Sequence, residues 1–206
     1  MEVGSCSARS EALNAKALGN SATLRKRKDM RLPPVRLTLF AVGLTIGMIA
    51  SDLVRGEQFA VDTDKVSAWI LKETNAYRQE KGVPPLILEP GIASVAQEYA
   101  QFLARTNKSG HTADSRDPSQ RLNNRGITHG GVWENFFEYW SAPQIAPWET
   151  VAAQAMQDWK HSPGHRRNLL RGQAAHLGVG VAGWTHEGTH YYKIVQILVD
   201  SGLATQ

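Results

Sequence analysis

Between Asp64 and Lys81 the residues Val66, Ile70, Thr74 and Tyr77 recur at helical spacing, and Asp64 can cap the start of the helix they predict. Gly82 and the Pro84–Pro85 pair end it, and Leu86 to Leu88 reads as a brief extended segment. A second helix is expected from Pro90, whose missing N–H costs nothing in a first turn, with Ile92, Val95, Ala96, Tyr99 and Leu103 as its apolar stripe. Asn107 to Arg116 is loop by composition, and Pro118 to Asn124 suggests a short helix ahead of Gly126. A third long helix, Trp148 to Trp159, carries Val151, Ala155, Met156 and Trp159, with Glu149 well placed for the helix dipole.

The period then changes. His176 to Trp184 and His190 to Asp200 are rich in Val, Ile, Tyr and Gly, and they predict two strands joined by a tight turn over Thr185 to Thr189. Val179, Val181, Ile194 and Gln196 fall on its regular alternations. Helices first and strands later indicate an α+β domain over residues 64–202, helices packed on a small antiparallel sheet, behind a polar linker at 53–63. No internal repeat interrupts it.

Upstream, Leu37 to Ser51 is 15 residues without a charge, preceded by Arg25, Lys26, Arg27, Lys28, Arg31 and Arg36 and ended by Asp52. That is the charge order of a signal sequence, and the run is shorter than the roughly 20 residues that span a bilayer. The expectation is export of the body, secreted or periplasmic, with residues 1–52 acting as a cleaved signal peptide or an uncleaved signal anchor. Membrane contact is expected at most through residues 37–51. Met48 is larger than the small residue a cut after Ala50 would favour, and Met30 offers an alternative start.

Charge and cysteine content narrow the chemistry. The chain of 206 residues carries a formal +4, but residues 1–36 hold 8 Lys/Arg against 3 Asp/Glu, which leaves 15 against 16 in residues 37–206. A nearly neutral body lacks the positive field that a phosphate backbone requires, so no nucleic-acid partner is expected. Cys6 is the only cysteine, so no intrachain disulfide and no thiolate zinc site can form.

His186, Glu187, Gly188, Thr189 and His190 match HExxH, which brings two histidines to zinc on one helical face. Here the string lies between two strand-like runs, where the histidines would not share such a face. It is read as a coincidence of composition.

Other histidines lie in richer surroundings. Asn75 to Leu86 (NAYRQEKGVPPL), Ser109 to Ile127 (SGHTADSRDPSQRLNNRGI), Trp133 to Phe136 (WENF), Ser162 to Leu170 (SPGHRRNLL) and the closing HLGVGVA and YYKIVQIL occur in the order found in a known family. The chain resembles the CAP superfamily, which comprises the cysteine-rich secretory, antigen 5 and pathogenesis-related 1 proteins, in the cysteine-poor SCP-like form of bacterial members. The resemblance runs from about residue 66 to 199. It implies an α-β-α sandwich and a cleft where His111, Glu134 and His165 converge, with His190 as the candidate for a fourth member on the last strand. Tyr192 stands where the bacterial pattern usually places that histidine, and Trp133 where it places glycine.

Two imidazoles and a carboxylate can hold Zn2+ with an open position for water, or exchange protons near neutral pH. His111, Glu134 and His165 are therefore the tentative metal ligands. A structural alternative is a Glu134 and a His165 satisfied by backbone groups. Glu138 is a further carboxylate nearby. Arg166, Arg167 and Arg171 read as a solvated helix face or a basic patch. The aromatics Trp133, Phe136, Phe137, Tyr139, Trp140 and Trp148 read as core under a long loop or as an apolar groove. Three functions follow: an exported binding module for a lipid, peptide or cell-envelope ligand, a metal-dependent hydrolase using the same cleft, or an interaction domain with a vestigial site.

Overall fold

The computed structural model describes residues 56–202, 204 and 205, so the basic region and apolar run of residues 1–52 lie outside the described residues. The elements in chain order are β1 (Glu57–Phe59), α1 (Thr63–Glu80), β2 (Ile87–Leu88), α2 (Pro90–Thr106), α3 (Pro118–Asn123), β3 (Ile127–Thr128) and β4 (Val132–Ser141). They continue with α4 (Trp148–His161), α5 (Pro163–Leu169), β5 (Ala174–His186), β6 (Thr189–Asp200) and β7 (Ala204–Thr205). The main sheet has the order β1-β5-β6-β4, antiparallel throughout, with β2 added parallel to β5, and β3 pairs β7 separately.

Both faces of the sheet are buried, which makes the α-β-α sandwich. On one face Phe137 and Tyr139 of β4, Leu177, Val179 and Val181 of β5, and Tyr192, Ile194 and Leu198 of β6 pack on Val66 and Ile70 of α1 and on Val151, Ala155, Met156 and Trp159 of α4. On the other, Val195, Ile197 and Val199 of β6 meet Ile92, Val95, Ala96, Tyr99 and Leu103 of α2, and Leu122 of α3. Gly180 permits this second contact, because a Cβ there would lie 2.3 Å from the carbonyl carbon of Ala96.

The connections depend on buried polar groups. Arg78 in the last turn of α1 is fully buried and donates to the carbonyls of Pro84 (2.6 Å), Leu169 (2.8 Å), Arg171 (3.0 Å) and Ala174 (3.1 Å), tying α1 to α5 and β5. Burial pushes its pKa below the usual arginine value, and four carbonyl acceptors offset the cost of its charge. Asn75 exchanges two hydrogen bonds with the backbone of Leu86 (2.9 and 2.8 Å), fixing the exit from α1.

Several expectations change. The linker at 53–63 contains β1, because Glu57 to Phe59 pairs with Gly183 to Thr185, and α1 begins at Thr63 with Asp62, not Asp64, as its cap. The aromatic run after Gly131 is a ten-residue strand, β4, rather than core under a loop. Its side chains alternate, so Phe137 and Tyr139 are buried and Trp140 is half-buried. SPGHRRNLL contributes a separate helix, α5. Arg166 and Arg167 are exposed on it, and the guanidinium of Arg171 lies over Trp133 at 5.0 Å. The closing turn is only Glu187–Gly188, both at positive φ (49° and 74°), so the HExxH string lies on a hairpin and forms no helical zinc site. Among the described residues, no helix is long and apolar enough to cross a membrane.

Candidate functional site

Glu134 and His111 meet at the face of the sheet that α2 and α3 cover. Glu134 lies on β4 with its side chain 1% exposed, and His111 follows α2 in a loop with its ring 49% exposed. Nδ1 of His111 is 2.8 Å from Oε1 of Glu134. The second carboxylate oxygen accepts from Nη2 of Arg121 at 2.7 Å.

Arg121 is placed by α3. Asp117 and Gln120 form a reciprocal capping box (2.8 and 2.9 Å), which starts the helix one turn before Arg121. Its guanidinium stacks on the ring of Tyr99 at 3.5 Å and also donates to Asp114 (3.0 Å), the carbonyl of Arg116 (2.8 Å) and the carbonyl of His111 (3.1 Å). With 4% exposure it is a buried cation between two carboxylates.

The loop that carries His111 is held at three consecutive residues. Ser109 Oγ donates to Glu138 Oε1 (2.6 Å) and accepts from Lys193 Nζ (3.1 Å), while Lys193 and Glu138 form an ion pair. The Gly110 carbonyl accepts from the Tyr99 hydroxyl, and the His111 carbonyl accepts from Arg121. Lys193 is 3% exposed, flanked by the rings of Phe136 and Trp184. Glu138 therefore supports the loop and does not join the His111–Glu134 pair.

His165 enters from α5, half-buried. Burial, followed by the charge His111 can carry, lowers its pKa, so the imidazole is neutral at pH 7. The helix is fastened to β4 by side-chain amides. Asn168 donates to the carbonyl of Glu134 (3.1 Å) and to Asn135 Oδ1 (2.9 Å), and Asn135 donates to Gln196 Oε1 (2.8 Å) and to the His165 carbonyl (3.4 Å). Gln196 passes the network on to Thr74 of α1 (3.2 Å). Asn135 and Gln196 are fully buried, which makes every unpaired member costly.

His190 does not join this group. It pairs with Ser141 while Glu134 pairs with Ile197, seven residues away along β4, about 23 Å at roughly 3.3 Å per residue. Strand alternation also turns it to the opposite face. There its Nδ1 is 2.8 Å from Thr185 Oγ1 and its Nε2 is 3.1 Å from the Pro143 carbonyl. Tyr192 is buried on that same face, and its hydroxyl donates to the Ala146 carbonyl (2.7 Å).

The zinc expectation meets the same geometry. Among the described residues no three His, Cys, Asp or Glu groups come together as a metal site. Glu134 Oε2 accepts from Arg121 and Oε1 faces His111, so a permanent cation already neutralises the carboxylate and opposes a second cation beside it. The donor set does not fit Zn2+. Arg121, Lys193, Ser109, Asn135 and Gln196 escaped the sequence reading as site residues. The DPSQ capping box was the available signal for Arg121, whereas nothing local marks Lys193.

Helices on both faces of an antiparallel sheet, with a histidine–glutamate pair at the edge strand and a histidine from the SPGH helix beside it, define an SCP-like sandwich. The sequence profile of the CAP, or cysteine-rich secretory protein, family matches residues 71–197, and the chain belongs to this family. It is 27% identical over 112 residues to the uncharacterized protein YkwD of Bacillus subtilis, covering 54% of this chain and 40% of that protein. An extracellular SCP-domain protein from Bacillus anthracis superposes with a TM-score of 0.52 at 24% identity, over 68% of this chain and 41% of that one. An outer surface protein from Borrelia burgdorferi gives 0.55 at 18%, over 71% and 99%. The chain thus spans about two-fifths of the length of YkwD and of the Bacillus anthracis protein.

Proposed function

We propose that this is an exported CAP-domain protein whose His111–Glu134–His165 cleft binds a cell-envelope component, a lipid or a peptide, by hydrogen bonding. One observation carries the reading: a half-exposed imidazole is oriented by a buried carboxylate, which is in turn held by a buried guanidinium. Once Nδ1 is committed to Glu134, Nε2 is the remaining polar atom of the ring, and a neutral His165 adds a second hydrogen-bonding group beside it. Groups fixed in this way bind with little loss of side-chain entropy.

The hydrolase alternative is supported less well. It requires either an activated nucleophile or a metal-bound water, and both Glu134 oxygens are already engaged, Oε1 by His111 and Oε2 by Arg121. Export rests on the basic run and the uncharged stretch from Leu37 to Ser51, and on the extracellular and outer-surface settings of the structural relatives.

Incubating the purified chain with a cell-envelope extract, followed by native mass spectrometry of what remains bound, tests the reading. A ligand retained by the wild type and lost in His111→Ala and Glu134→Gln supports it. Retention unchanged by either substitution assigns the cleft a structural role, and turnover of the ligand supports the hydrolase.

A further inference from the structure

A second concavity lies on the far side of Arg121. It has a volume of about 330 Å3 between α2, the loop after it and the end of α3, and its lining includes Arg105, Arg116, Arg121 and Arg125 against only two carboxylates, Glu98 and Asp114. Four guanidiniums around one small cavity are unexpected in a body with 15 basic and 16 acidic residues after position 36. Lys108 adds a further cation next to this wall, its amine 5.8 Å from the centre of the Phe102 ring.

The basic groups keep donors to spare. Arg116 meets Asp114 through Nε (2.9 Å) and Nη2 (2.7 Å), and Arg125 pairs with Glu98 through Nη2, whereas each guanidinium carries five N–H donors. The Arg125–Glu98 pair is half-exposed at both partners, 52% and 50%, so water screens it and it opens at little cost. Arg116 is 48% exposed, but its partner Asp114 is buried at 4%. Arg121 forms the buried wall, and its Nε has no acceptor among the described residues. Planar donors converging from several arginines suit the oxygens of a phosphate group.

The cavity also offers the apolar and aromatic surfaces of Val95, Tyr99 and a half-buried Phe102, beside the side-chain amides of Gln101 and Asn124. Its volume falls at the lower end of small-molecule sites, roughly 300–1,000 Å3, and exceeds what a bare phosphate fills. We propose that this cavity is a binding site for a small phosphorylated organic molecule of the size of a sugar phosphate, held through Arg105, Arg116 and Arg125. The site shares the buried Arg121 with the cleft. Arg105, Arg125 and Glu98, the residues changed in the test, make no hydrogen bond or ion pair with His111, Glu134 or His165, so failure of the test leaves the cleft reading intact, and the reverse also holds.

Isothermal titration of the purified chain with glucose 6-phosphate, glucose and inorganic phosphate tests the proposal. Glucose 6-phosphate should bind, glucose should not, and inorganic phosphate should bind more weakly. Arg105→Ala/Arg125→Ala should weaken the sugar phosphate about tenfold or more, and Glu98→Gln, which releases Arg125 and keeps its neighbours, should tighten it. An unchanged circular dichroism melt for Glu98→Gln keeps that result interpretable if the double variant fails to fold. Absence of wild-type binding, affinity unchanged in both variants, or displacement by chloride as effective as by phosphate would overturn the proposal. So would binding to phosphatidylglycerol vesicles without binding of the free sugar phosphate, which would indicate a membrane surface instead.

Discussion

The ring of His111 and the carboxylate of Glu134 lie 2.8 Å apart although 23 residues separate them, and the carboxylate is the buried partner. The pair survives burial because Arg121 neutralises Glu134 from the other side. Arg121→Ala should therefore destabilise the domain by about 3–5 kcal/mol, since it leaves a buried carboxylate without its cation. Arg121→Met/Glu134→Met should cost clearly less than the sum of the two single changes. Urea denaturation of the three variants measures the coupling, and strict additivity would contradict it.

Ser109 lies between Lys193 and Glu138, two residues before His111. Ser109→Ala should leave the fold intact and lower the melting temperature by only a few degrees, on the order of 1 kcal/mol. The His111 ring resonances should broaden or shift at the same time, while those of His161 stay in place. Unchanged His111 signals would show that the loop is held without this hydroxyl.

Gln196 joins Asn135 to Thr74 with no exposure. Gln196→Leu keeps the side-chain volume roughly but removes a partner from two buried groups, leaving Asn135 Nδ2 only the His165 carbonyl at 3.4 Å and Thr74 Oγ1 only Met156 Sδ at 3.6 Å. The expected loss is about 1–3 kcal/mol per stranded group, read from the midpoint of chemical unfolding.

Gly180 faces the backbone of α2, and a Cβ placed there meets Ala96 at 2.3 Å. Gly180→Ala should cost about 1–3 kcal/mol or more by pushing α2 off the sheet. Gly164→Ala, with nothing within 4 Å of the added carbon, is the control and should be nearly silent in the same thermal melt.

His165 and Tyr192 each make the stability of the fold depend on pH, and Tyr99, also raised by burial, acts in the same alkaline direction as Tyr192. Burial holds the pKa of His165 below the ordinary imidazole value of 6.5, so its neutral form is the folded form. Its contribution is present above 6.5 and is lost as pH falls from there towards the lowered value, because the unfolded chain takes up the proton first. Tyr192 behaves oppositely: burial, then Tyr139, pushes its hydroxyl from 10.0 up to about 12, so stability is full below pH 10 and falls as pH rises from 10 to 12. Tyr192→Phe should flatten the alkaline limb of a stability–pH curve, and His165→Asn the acid limb. A curve with both limbs intact in these variants would assign the limits to other groups.

The sequence by itself determined α1 to α4 and the closing hairpin, because each rests on contacts a few residues apart, while α5 came only with the structure. Val66, Ile70 and Thr74 are all buried along α1, Ile92 to Leu103 form the α2 stripe, and Val179, Val181, Ile194 and Gln196 are all buried, as their periods required. The order of short motifs likewise made the family legible, and with it the His111–Glu134 pair. Tertiary structure alone decided the rest. β4 hid behind its aromatic run, since Phe136 and Trp140 on its half-buried face are as apolar as Phe137 and Tyr139 on its buried one, which leaves little polar alternation to read. His190 was assigned to the cleft by resemblance to a histidine on the family's last strand, but the register of ten paired residues carries it to the far end and the other face. Zinc was expected from residue types, whereas the third group at Glu134 is Arg121, a long-range partner that local pattern cannot specify. Helix and hairpin periods are set by neighbouring backbone geometry. Which charge faces which across the sheet is set by packing between segments far apart in the chain.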